Sequence, residues 1–212
     1  MDSTERISLH PGRRPSLRPS RPDTRGRRDR ERAAYLPNPM ALRDGTWVTV
    51  RPIRPEDAEE LKRGFANLSL ESRRARFLAP LRALSEETVR FFCNVDMHSH
   101  IALVMTVPDD TVPGGERGLG VARCIADSPD SDEAEFACTV ADEAQGKGVG
   151  SRLMKELAHL AWHHGIRRFR GVMQVENLRM MKVMERLGDK VERYLEDATV
   201  VVVVYALHPP PS

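Results

Sequence analysis

The chain has 212 residues, 30% of them charged, and a net charge of only +2. That length suits one domain with a tail, and the charge balance by itself points to neither nucleic acid nor a membrane surface. No apolar run approaches the ~20 residues that span a bilayer, no leader-like apolar core stands at the N-terminus, and Cys93, Cys124 and Cys138 lack metal-site spacing, reading instead as reduced core thiols of a cytoplasmic protein.

Residues 1–40 differ from the rest. They are rich in Arg, Pro, Ser and Gly, and residues 1–34 hold ten Arg against five acids. So little apolar surface cannot offset the entropy of ordering, and a disordered arm is expected. The interspersed acids and missing aromatics weaken a nucleic-acid grip and disfavour a transit peptide.

The fold is expected to begin near Thr46, with Trp47 to Arg51 alternating as a strand. Glu56 to Leu68 has a helical stripe of Ala58, Leu61, Phe65 and Leu68, with acids in its first turn. Ser69 is placed to cap a second helix containing Arg73, Arg74 and Arg76, and Ser85 opens a third with Val89, Phe92 and Cys93 inward. His98 and His100 follow in what reads as a loop. Two histidines at that spacing without a third ligand read as loop residues rather than a metal site. Ile101–Val107 and Gly118–Ala126 pair naturally as an antiparallel hairpin. Asp127 to Asp132 is an acidic connection, either a solvated turn or an attractor for a cationic amine.

Glu133 to Val140 is a short apolar strand with Glu135 embedded in it. A glycine-rich turn follows, then a helix with Val149, Leu153, Leu157, Leu160 and Ala161 at helical spacing. Glycines let backbone approach a ligand, and the first helical turn offers unpaired N–H groups, so this junction suits phosphate or pyrophosphate. It is not a Walker A loop, because Gly148 rather than Ser or Thr follows Lys147. It is not a dinucleotide fingerprint either, because Leu153 stands where a third glycine belongs. Phe169 to Val175 reads as a strand, and Glu176-Asn177 opens a helix with Met180, Met181, Met184 and Leu187 on one stripe. Val191–Leu195 and Thr199–Leu207 finish as strands, leaving 208–212 as a frayed tail.

Gln145, Gly148 and Gly150 form Q-x-x-G-x-G, which resembles the acetyl-CoA loop of the GCN5-related N-acetyltransferase (GNAT) superfamily. The element order resembles that family from about Arg43 to Leu207. Val50 to Asp57, Leu68 to Phe77, Val95-Asp96 and Ala134 to Ala137 are similar to the acetyltransferase domain of bacterial Pat-type protein lysine acetyltransferases. In those proteins the domain is often fused to a large acyl-CoA-synthetase-like region or a cyclic-nucleotide-binding domain. Neither fits in this chain, which reads as a stand-alone catalytic domain. The resemblance implies an α/β fold, with a mixed, mainly antiparallel sheet flanked by helices. It also implies acetyl-CoA as co-substrate and no metal.

By the same resemblance, backbone N–H groups of Gln145, Gly146, Lys147, Gly148, Val149, Gly150 and Ser151 would hold the CoA pyrophosphate. Ala137, Cys138, Thr139 and Val140 would run beside the pantetheine arm, and Asn177 would contact it unless it simply caps a helix. Glu135 matches the family's general base; its alternative is an outward-facing residue in a salt bridge, with Glu133 as the other candidate base. The family's Tyr that protonates the leaving thiolate would fall on Met184, so no general acid is assigned; Tyr194 and Tyr205 qualify only if the fold brings them in. Three functions stay open: acetylation of a protein lysine, acetylation of a small amine, or a CoA-binding module without turnover.

Overall fold

In the computed structural model, which describes residues 38–78 and 81–210, the described residues form one eight-stranded sheet. The strands are β1 (Asn38–Ala41), β2 (Trp47–Pro52), β3 (His100–Pro108), β4 (Glu116–Ala126), β5 (Glu133–Val140), β6 (Arg168–Gln174), β7 (Gly188–Leu195) and β8 (Val200–Leu207). The helices are α1 (Ala58–Asn67), α2 (Leu70–Phe77), α3 (Glu86–Cys93), α4 (Val149–His163) and α5 (Leu178–Met184). The sheet runs β1-β2-β3-β4-β5-β6-β8-β7, and β5–β6 is the parallel pair in an otherwise antiparallel array. This is the expected mixed α/β architecture.

Local sequence explains most of the boundaries. Ser69 and Ser85 cap α2 and α3 by accepting from the Ser72 and Thr88 backbone N–H groups. Pro55 starts a 3-10 turn over Pro55–Asp57, so α1 begins at Ala58 rather than at the expected Glu56. Arg51 pins that turn to the sheet: its guanidinium bonds both Asp57 oxygens at 2.8 Å and Glu116 at 2.7 Å. These two partners hold the Arg51 pKa above its usual value although burial opposes it. In α4, Val149, Leu153, Leu157 and Ala161 are buried against β3, β4 and β5. Gly120 lies beneath them because a Cβ there would stand 3.2 Å from both Leu153 and Val149.

Several expectations change. The sheet starts before Thr46: Asn38–Ala41 pairs with Val50–Trp47, so residues 38–40 belong to it rather than to an arm. The rest of the arm, residues 1–37, lies outside the described residues, as do residues 211–212 of the tail. His100 is not a loop residue. It opens β3, is buried, and its Nε2 sits 3.1 Å from Arg123 Nη1. Gly188 does not only close α5; it begins β7, where a Cβ would stand 2.4 Å from the Ala206 carbonyl oxygen. His208 is tied down by a backbone bond to the Leu187 carbonyl.

Candidate active site

Strands β5 and β6 touch at only three pairs, Glu133↔Arg168, Ala134↔Phe169 and Glu135↔Arg170. Beyond Glu135 they part. Phe136 to Val140 stays paired with β4, and Gly171 to Gln174 stays paired with β8. Two strand edges therefore face each other across a wedge-shaped opening whose apex is Glu135. Unpaired strand edges offer N–H and C=O groups to an extended ligand that lies between them.

At the wide end of the wedge, the turn after β5 leads into α4. Gly146 and Gly148 have φ of +77° and +93°, which side chains resist, and Gly148 is the N-cap of α4. No side chain caps this helix, and its first turn carries no acid. The first N–H groups of a 15-residue helix thus point out beside the opening. Lys147 is half-exposed there, 3.6 Å from Asp44. Cys138 and Val140 point toward α4, where a Cβ on Gly150 would lie 3.8 and 3.3 Å from them. Burial pushes the Cys138 thiol up to about 12, so it stays protonated. On the far limb, Asn177 caps α5, its Oδ1 accepting from Met180 N at 3.2 Å.

Gln145, exposed, turns its side chain toward α2. Its amide donates to Asp142 Oδ1 at 3.0 Å and to Ser72 Oγ at 3.1 Å. Asp142 in turn accepts from Ser69 N at 2.6 Å and from the Ser72 hydroxyl. Burial opposes ionisation of Asp142, yet these donors hold its pKa below the usual value. The turn before α4 is in this way fastened to the N-terminus of α2, which lies across β5 and β6.

Glu135 is 10% exposed and accepts from Arg170 Nη2 at 2.6 Å. Burial raises its pKa to about 7, against the opposing pull of Arg170 and Arg76. Glu133 lies further out, 30% exposed, at 3.8 Å from Arg168 and 3.7 Å from Arg170. Both glutamates line a polar cavity of about 230 Å³ with Asp127, Asp132, Arg168 and Arg170. The acidic connection thus contributes to the surroundings of Glu135. Met184 is fully buried in the core, Tyr194 is exposed on β7, and Tyr205 is buried on β8, opposite Phe169.

The structure brings Glu135, Ala137–Val140, Gln145–Ser151 and Asn177 around one opening. Arg170 and Asp142 were not singled out from sequence, and Arg76 was read only as part of a basic run on a helix. Arg168-Phe169-Arg170 does alternate as a strand with its charges on one side, but only the parallel register sets Arg170 against Glu135.

Comparison with known proteins shows the family. Residues 48–190 match the family model described as an acetyltransferase (GNAT) domain. The chain is 35% identical over 168 residues to an acetyltransferase Pat of Mycolicibacterium smegmatis, covering 76% of this chain and 46% of that protein. It therefore spans under half the length of that relative. It is 31% identical over 167 residues to an acetyltransferase of Pseudomonas aeruginosa, covering 79% of this chain and 88% of that one. Among solved structures, the GNAT domain of S. lividans PAT superimposes with a TM-score of 0.69 at 31% identity, covering 81% of this chain and 97% of that chain. The chain belongs to the GNAT acetyltransferase family, whose co-substrate is acetyl-CoA.

Proposed function

We propose that this enzyme acetylates a primary amine, namely a protein lysine side chain, by direct attack on the acetyl thioester with Glu135 as general base. The observation that carries the reading is the position of Glu135 at the apex of the β5–β6 opening, with its carboxyl pKa near neutrality. A lysine amine has a reference pKa of about 10.4 and arrives protonated, so it needs a base beside the thioester. The acid-lined cavity around Glu135 suits a cationic amine.

In this reading the pantetheine arm lies along Ala137, Cys138, Thr139 and Val140, with Asn177 on the opposite limb. The pyrophosphate rests on N–H groups from Gln145 to Ser151. The amine nitrogen bonds to the acetyl carbon, the carbon–sulfur bond breaks, and the amine proton passes to Glu135, directly or through water. Arg170 holds the carboxylate in place. Met184 is core, so no side chain is assigned to protonate the thiolate, which is a good leaving group. Positioning of amine against thioester supplies much of the acceleration. The likeness to Pat-type relatives favours a protein acceptor, and we assign the catalytic unit to residues 43–207.

The test is thiol release from acetyl-CoA over a panel of proteins and small amines, with the modified position read by mass spectrometry. Release with a protein acceptor and a lysine acetyl mark is the expected result. Release with small amines only would reassign the acceptor class, and acetyl-CoA binding without release on any acceptor would favour a binding module.

A further inference from the structure

On the same face of the sheet as α2, an apolar cavity of about 100 Å³ lies between α1, α3 and β4. By this measure a single water needs only about 10–15 Å³, so the space admits a small organic group. Phe65, Phe77, Leu84, Phe92 and Val121 form much of its wall.

Its polar members are unevenly satisfied. Of the three carboxylates, Asp57 and Glu116 bond Arg51, while Glu60 accepts from Gly118 N at 2.8 Å through one oxygen and its other oxygen pairs with Arg63 at 3.0 Å without a hydrogen bond. The two guanidinium groups at the other end have no hydrogen-bonded carboxylate among the described residues, although Glu135 attracts Arg76 through space. Arg123 is only 2% exposed. It donates to the Phe92 carbonyl at 3.1 Å, lies 3.1 Å from His100 Nε2 and stacks 4.1 Å from the Phe92 ring centroid, all of them uncharged partners. His100 is held neutral, because burial and then Arg123 drive its pKa down to about 3. Arg76 stacks on Phe77 at 4.7 Å and reaches toward Phe92 from 5.8 Å. It repels Arg123, and burial pushes both groups below their usual range. The Thr106 hydroxyl, buried on the cavity wall, has no hydrogen-bond partner.

A buried cation without a hydrogen-bonded counter-charge is costly, and the cost is relieved by an anion that bonds it. Guanidinium groups favour planar carboxylates. We propose that this cavity is a binding site for a carboxylate carried on a short apolar stem, with the carboxylate held by Arg76 and Arg123 and the stem among the phenylalanines. The carboxylate has two sources in the reaction proposed above: an acyl group ending in a second carboxylate, or an acceptor that carries one. Only this choice of source rests on the transferase reading; binding itself does not.

The experiment is calorimetric titration of the full chain, without acyl-CoA, with hexanoate and with hexanamide. The expected result is hexanoate binding about tenfold or more tighter than hexanamide, a preference worth about 1.4 kcal/mol. The preference should vanish in Arg76→Gln and in Arg123→Met, each compared where the variant unfolds at the wild-type temperature. Equal affinity for the two probes, no binding of either at millimolar concentration, or a preference that survives Arg76→Gln would each overturn the proposal. A turnover comparison then assigns the source. Glutaryl-CoA outperforming butyryl-CoA places the carboxylate on the donor, and leucine outperforming isoamylamine places it on the acceptor. Loss of the transferase reading would leave the calorimetric result intact.

Discussion

Phe136 lies over Gly171: a Cβ on that glycine would stand 2.6 Å from Phe136 Cε1 and 2.7 Å from Met173 Cε. These two residues are the first to follow the last paired positions, Glu135 and Arg170. The Phe136 ring, buried and 5.7 Å from that of Phe169, fills the space at the point where the strands separate. The bareness of Gly171 sets how closely the limbs approach at the apex.

Gly171→Ala is therefore expected to overpack the apex. Forcing an added methyl into a filled core costs about 1–3 kcal/mol. Urea unfolding should register that loss, and calorimetry should record weaker acetyl-CoA binding. Unchanged values for both would mean that the ring moves aside freely.

Glu135→Gln should retain acetyl-CoA binding and lose turnover by roughly 10²–10⁴-fold, the usual contribution of a positioned base. The wild-type pH profile carries a sign. The base works ionised, and the carboxyl pKa is raised to about 7 by burial, so kcat/KM should fall as pH drops below about 7. A flat profile between pH 5.5 and 8 would remove Glu135 from that role, as would full activity in the glutamine variant.

Asp142→Asn weakens the link from the turn before α4 to Ser69 and Ser72. Hydrogen bonds to a charged group contribute about 1.5–3 kcal/mol each at best, less where water competes, as on this half-exposed side chain. A loss of about 1 kcal/mol corresponds to roughly 2–4 °C in Tm for a chain of this size. The KM for acetyl-CoA should rise as well, since the turn proposed to receive it loses its anchor. A KM equal to wild type would separate the two.

His100 makes the fold acid-sensitive. Native His100 stays neutral down to about pH 3, while in the unfolded chain it takes a proton near its usual 6.5. Between those values the unfolded state binds more protons, so stability drops as pH falls below about 6.5. Asp96 opposes this shift and Arg123 adds to it. His100→Gln does not titrate, so its urea-unfolding stability should depend less steeply on pH between 7 and 5. Parallel pH dependences in the two proteins would contradict this.

Much of this fold was readable from one sequence. The period of Val149, Leu153, Leu157 and Ala161 announced α4, Ser69 and Ser85 announced two caps, and the glycines after Gln145 announced the turn. Strand β1 was not readable, because Asn38-Pro39-Met40-Ala41 has no β-branched residue and gains order only by pairing with β2. Nor was the opening at Glu135, since periodicity reports faces and says nothing about which neighbours a strand edge lacks. Parity alone left Glu135 undecided between base and salt-bridged residue, and the fold gives it both a buried position and a bond to Arg170. His100 was misjudged because His98 and Ser99 before it are polar and it stands just outside the apolar run from Ile101, while its neighbours in space are Phe91 and Arg123.

The bonds from Asp142 and Gln145 to Ser69 and Ser72 have a consequence for the order of events. Some seventy residues separate the two segments in the chain, yet they are fastened together, and α2 spans the strands that hold Glu135. In the proposed function, the turn that would receive the donor is thereby fastened to the helix that lies over Glu135. The expected kinetic counterpart is an ordered sequence in which acetyl-CoA enters first and CoA leaves last. Product inhibition by CoA would be competitive against acetyl-CoA and noncompetitive against the amine.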